Sequence, residues 1–172
     1  MRRRTLESIP GFSNDVGFYL SGMEEVREQL REAVAEMSLD QIGWPIVPDA
    51  HSIAALVLHI GEAEWYWMQC VVSRNEVTDK IRNAAYWDAL EDPASFSQKN
   101  YSAEFCLNEI KKIRQQTYET LVSFDDSQLD RVFTFERRGE THELSLRWIL
   151  HHLIDHEAQH KGQILMLKRL LG

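Results

Sequence analysis

Ser145–Leu171, SLRWILHHLIDHEAQHKGQILMLKRLL, decides the fold. Leu146, Ile149, Leu153, His156, His160, Ile164, Leu167 and Leu171 recur at steps of three and four, the period of one helix face. The spacing predicts a helix from about Ser145 to Leu171 that must bury this stripe against other helices. At about 100° per residue, His160 falls near the centre of the stripe and His156 about 40° to one side. Imidazoles in an apolar stripe are costly unless something compensates them. An i, i+4 pair projects from one helix face, so both rings can reach one cation.

Three more segments carry the same period. The first runs from about Ser13 to Met37, with Val16, Leu20, Met23, Leu30, Val34 and Met37 inward and Glu24, Glu25, Arg31 and Glu32 facing away. The second runs from about Ser52 to Ser73 and contains SIAALVLHIGEAEWYWM; Ile53, Leu56, Ile60, Ala63 and Trp67 line its inner face. The third runs from about Ser102 to Phe124, with Cys106, Ile110, Ile113, Thr117, Leu121 and Phe124 inward. Ser52 and Ser102 are N-cap residues by type and position. Four amphipathic helices predict an all-α fold, an antiparallel four-helix bundle.

Between them, Gly43, Pro45, Pro48 and Asp49 mark a turn-like stretch, and Trp44 within it is expected to pack over one end of the core. Ala84 to Leu90 is expected to form a short helix, and Pro93 to act as a breaker. Val132, Phe133, Thr134 and Phe135 favour an extended backbone, and Arg138-Gly139 can turn the chain, which predicts a short hairpin or extended loop before the last helix.

The 172 residues make one domain, residues 1–172, with residues 1–12 as an N-terminal arm. The net charge of -8 argues against nucleic-acid binding, and Arg2-Arg3-Arg4 reads as a solvated arm. No apolar run reaches the ~20 residues that span a bilayer. The stretch after the arginines, TLESIPGF, lacks the apolar core of a signal peptide, so a cytoplasmic location is expected. Cys70 and Cys106 read as buried free thiols, with no Cys-x-x-Cys spacing.

His59 stands on the inner stripe of the second helix, between Leu56 and Ala63. With His156 and His160 it completes a three-imidazole set, which leaves coordination positions open for water or substrate. His152 lies about 80° around the helix from His160, at the edge of the stripe, and reads as a boundary or supporting residue. His151 points outward; His51 and His142 receive no role. Trp67 is placed to wall a pocket, while Trp65 and Tyr66 are expected to pack against loops or a partner chain. His156-Glu157-Ala158-Gln159-His160 matches H-E-x-x-H formally. The extended pattern fails, since Gln163 and Met166 stand where glycine and histidine are required. Glu157 remains a candidate base or supporting group, with an ordinary surface glutamate as the alternative.

His59 in the second helix, Trp44-Pro45 before it, and His156-x-x-x-His160 continuing as Lys161-Gly162-Gln163-Ile164 together resemble the DinB/YfiT-like superfamily of metalloenzymes. The resemblance covers nearly the whole chain. It implies an antiparallel four-helix bundle with a divalent metal held near one end by His59, His156 and His160. Zinc or nickel are the leading candidates, with iron and copper also suited to imidazole. It also implies a small-molecule substrate and a homodimer. Relatives in the superfamily include S-transferases using low-molecular-weight thiols such as bacillithiol or mycothiol, a thiol-dependent isomerase and hydrolase-like members. The resulting expectation is a metal-dependent thiol S-transferase. The alternatives are a metal-assisted hydrolase and a non-catalytic metal-binding or stress-related module.

Overall fold

A computed structural model describes residues 5–45, 50–137 and 139–171, and the backbone alone at residues 95 and 97. The readings of Arg2-Arg3-Arg4, of Pro48 and Asp49, and of Arg138 fall outside the described residues. The structure is mostly helical with one small two-stranded sheet. In chain order the elements are α1 (Asn14–Val34), α2 (Leu39–Gly43), α3 (Ile53–Trp65), α4 (Asp79–Arg82), α5 (Pro93–Ser97), α6 (Ala103–Leu121), β1 (Val132–Arg137), β2 (Glu140–Ser145) and α7 (Leu146–Leu171). A π-helical segment, Tyr66–Val72, continues α3, and a 3-10 turn, Asp126–Gln128, follows α6.

The helix starts follow from side-chain chemistry. Ser52 Oγ accepts from Ala55 N–H and Ser102 Oγ from Phe105 N–H, each satisfying a free first-turn donor. Ser145 does the same for Trp148 N–H at 3.2 Å. Asp126 reaches across the fold, accepting from the Asp15 and Val16 N–H groups at the start of α1.

Two apolar regions are separated by a layer of buried charge. One contains Leu30, Val34, Ile53, Leu56, Ile60, Cys106, Ile110, Ile113 and Ile164. The other contains Val16, Leu20, Met23, Trp67, Met68, Leu121, Leu146, Ile149, Leu150 and Leu153. Arg27, Glu64, Arg114 and Glu157 lie between, one from each long helix. The order in which each helix crosses this layer gives its direction: α1 and α7 run one way, α3 and α6 the other. Helix α7 packs on both α1 and α3, and α3 packs on α6. Gly61 permits that last approach, because a Cβ there would meet Ile110 Cγ2 at 2.8 Å and Ile113 Cδ1 at 2.9 Å.

The antiparallel pair β1–β2 forms the expected hairpin, with Phe135 opposite His142 and Gly139 at φ 79 in its turn. Phe133 is its buried anchor, and β1 packs against the π-helical segment. From the N-terminal arm, Ile9 and Phe12 pack on the same apolar region. Among the described residues no helix is long and apolar enough to cross a membrane.

Several local expectations need correction. Trp44 is 71% exposed, and Ile42 of α2 fills the end of the core in its place. Residues 84–90 form successive turns rather than a helix. Pro93 begins α5, at the first-turn position where its missing N–H costs nothing. The second helix does not stay α-helical to its end: Ser73 N–H donates to Met68 O, five residues back. Cys106 is buried, and burial pushes its thiol up to about 12; Cys70 is only half-buried.

Candidate metal centre

Helices α3 and α7 bring His59, His156 and His160 together, with one ligand atom from each lying within 4.8 Å of the others. The three rings are half-buried in the groove between the helices rather than sealed in the core. This corrects the reading of α7. Its buried residues are Leu146, Ile149, Leu150, Leu153, Glu157 and Ile164, so the expected stripe holds as far as Leu153, and beyond it the histidines flank the buried side that Glu157 occupies.

Each of two imidazoles is oriented by an acceptor three residues on. His59 Nδ1–H donates to Glu62 Oε2 at 3.0 Å. His160 Nδ1–H donates to Gln163 Oε1 at 2.8 Å. Both bonds place the proton on Nδ1 and leave Nε2 as a lone-pair donor, which is how protein imidazoles are set for metal ligation. The Nε2 atoms of His156 and His160 stand 3.2 Å apart. Two ligands at metal–nitrogen bonds of about 2.0–2.1 Å and a tetrahedral angle would stand about 3.3 Å apart. Burial, and then the neighbouring imidazoles of His160, His59 and His152, push His156 down to about 3. Burial likewise lowers His160. The rings at 156 and 160 are therefore neutral near pH 7, the form in which imidazole binds a cation. The donor set fits a divalent cation.

The centre borders a cavity of about 680 Å³. His59 and His156 line it together with Tyr66, Trp67, Trp87, Arg137 and His152. In the π-helical segment Met68, Val71 and Val72 are in the core, Tyr66 lines this cavity, and Trp67 does both. Trp67 stands edge-on to Phe135, Trp148 and His152, and His152 stacks on Trp148 with ring centroids 4.8 Å apart. His152 thus faces the cavity beside the three-histidine cluster without belonging to it. Trp65 packs edge-on against Trp87 of the following loop, as its position suggested. His142 stacks on Phe135, away from the cluster.

Glu157 is no surface residue: it is 2% exposed. Its Oε1 accepts from Arg27 Nε at 2.5 Å, and its Oε2 from Arg27 Nη2 at 3.1 Å and Arg114 Nη2 at 3.2 Å. Glu64 accepts from Arg27, Arg114 and Thr117. Arg114 also binds Glu24, which the helical period had placed on the outer face. Burial opposes ionisation of Glu64, but Arg114 and Arg27 outweigh it and hold the carboxyl down to about 2. Both oxygens of Glu157 are thus engaged by guanidinium groups of the charged layer.

Sequence reasoning missed Glu62 and Gln163. The signal was present as a repeated phrase, His59-Ile60-Gly61-Glu62 and His160-Lys161-Gly162-Gln163, in which an oxygen acceptor follows each histidine at i+3. It also missed Arg27, Glu64 and Arg114, which look like ordinary surface charges.

Fold and centre together define a helical protein with an open three-histidine cluster beside an aromatic cavity. Residues 20–171 match the family described as mycothiol-S-transferase, and the chain belongs to that family, within the DinB/YfiT-like superfamily. A crystal structure titled as the conserved protein of locus from Enterococcus faecalis is similar in fold. The TM-score is 0.64 at 14% identity, over 88% of this chain and 94% of that one. Comparison with curated proteins gives no match.

Proposed function

We propose that this protein is a metal-dependent thiol S-transferase working from a four-helix DinB/YfiT-like bundle, with His59, His156 and His160 as metal ligands. The observation that carries the reading is the three-imidazole cluster, of which His59 and His156 line the cavity. Family membership supplies the thiol class. A divalent cation, zinc or nickel by ligand type, would act as a Lewis acid that lowers the pKa of a bound thiol into the neutral range.

The chain's own residues supply positioning and proton handling. Glu62 and Gln163 hold two of the rings. Tyr66, Trp67 and Trp87 offer aromatic faces to the electrophile, and Arg137 offers a positive charge for an anionic group on either substrate. His152 borders the cavity, and burial lowers its pKa, so it is a neutral base near pH 7. We assign it the proton-accepting role for which Glu157 was the sequence candidate, because Glu157 is held by two arginines. In the transfer the thiol sulfur forms a bond to an electrophilic carbon, the leaving group departs with its electron pair, and His152 takes the thiol proton.

The test is turnover of a low-molecular-weight thiol with a chromogenic alkylating electrophile, using metal-loaded protein. Thiol-dependent turnover that is lost in His59→Ala is expected. Turnover that needs no thiol would replace this reading with metal-assisted hydrolysis. Full activity in His59→Ala would end both.

A further inference from the structure

We propose that Glu62 is a positioning residue that couples the ligand His59 to the loop walling the cavity. The inference rests on the metal reading above. The two carboxylate oxygens of Glu62 do different work. Oε2 accepts from His59 Nδ1–H at 3.0 Å, and Oε1 accepts from the backbone N–H of Asp88 at 2.9 Å. Because the two donors meet different oxygens, an amide in place of the carboxylate would turn its NH2 towards one of them. The side chain is 17% exposed, so water competes weakly for either bond.

Asp88 has φ 52, in the left-handed region, which aspartate tolerates better than most residues but which local contacts still have to favour. The Glu62 bond to its N–H is one such contact. Trp87, Asp88, Leu90 and Glu91 line the same cavity as His59 and His156. Glu62 therefore spans from a ligand imidazole to a left-handed turn residue that lines the cavity. Gln163 orients His160 through a single bond and touches no wall residue through it. The difference between the two acceptors assigns the coupling to Glu62. Filling the centre fixes His59, which fixes Glu62, which holds the wall at Asp88. By linkage, displacing the wall loosens the ligand.

The test uses metal-free protein titrated with Co²⁺, read by its visible ligand-field absorption, together with amide hydrogen exchange over residues 84–91. In the wild type, cobalt is expected to slow exchange in this segment by about tenfold or more. Glu62→Ala is expected to weaken cobalt binding by about 10- to 100-fold, the range for partners of ligating histidines. At saturating cobalt it should still show no slowing in the segment. Glu62→Gln has one carbonyl oxygen and should keep the wild-type spectrum or the loop response, not both. Gln163→Ala should weaken binding and preserve the loop response. Wild-type affinity and spectrum in Glu62→Ala would overturn the proposal, as would a full loop response in that variant or both properties in Glu62→Gln. A wild-type protein that takes up no cobalt would overturn the metal reading itself, and this coupling with it.

Discussion

His160 Nε2 stands 3.2 Å from His156 Nε2. The proton of His160 is committed to Gln163 through Nδ1, so its Nε2 presents a lone pair to the neighbouring ring. A third imidazole, His59, approaches both, with ring centroids 5.1 Å from each. With the proton of His156 on Nε2, that ring donates to this lone pair; a shared cation would take the proton's place, with both nitrogens as ligands. It would sit beside the cavity that His59 and His156 line.

The Gln163 bond should be measurable in metal affinity. Removing the acceptor in Gln163→Ala frees the His160 ring to turn and to change tautomer, which is expected to cost about tenfold or more in affinity. Gln163→Glu keeps an oxygen acceptor and should stay near the wild type. Competition against a chromophoric chelator reads both. Equal affinities for Gln163→Ala and the wild type would refute the orienting role.

Glu157 is expected to act on stability. Glu157→Ala leaves Arg27 and Arg114 short of an acceptor in the core, and breaking a buried ionic network from one side destabilises by about 3–5 kcal/mol. For a chain of this size that is a fall in Tm on the order of 10 °C. Thermal unfolding followed by circular dichroism checks it. A variant with unchanged Tm and abolished turnover would instead restore Glu157 as a base.

Acid should weaken the fold through Glu64. Its carboxyl is held at about 2, below its ordinary 4.5, by Arg114 and Arg27 acting against burial. A depressed carboxylate contributes stability that is complete above the unfolded value and is lost as pH falls towards the folded one. The loss should therefore run from about pH 4.5 down to about pH 2 and amount to roughly 3 kcal/mol. Urea unfolding across that range should fall more steeply for the wild type than for Glu64→Gln. Parallel curves would contradict the assignment.

Much of the architecture was legible because its signals are explicit. Ser52 and Ser102 announce helix starts chemically, and Val132 to Phe135 announce a strand. His59, His156 and His160 were legible because histidines near apolar stripes stand out. The stretch of α7 around His156 was misread because periodicity counts apolar residues, and the buried position there belongs to a glutamate. Buried charges are invisible to that count: Arg27 and Arg114 look like solvated residues until Glu64 and Glu157 are placed beside them. The π-helical winding of Tyr66–Val72 depends on bonds five residues apart, which leave no mark in composition.

His59, His156 and His160 are proposed to hold one divalent cation. The most direct measurement is an anomalous difference map from crystals grown with Zn²⁺ or Ni²⁺, recorded on both sides of the metal's absorption edge. One peak per chain is expected, at about 2.0–2.1 Å from a nitrogen of each of the three rings, with space beside it open to the cavity. No peak at the three histidines, or a peak held by other side chains, would contradict it.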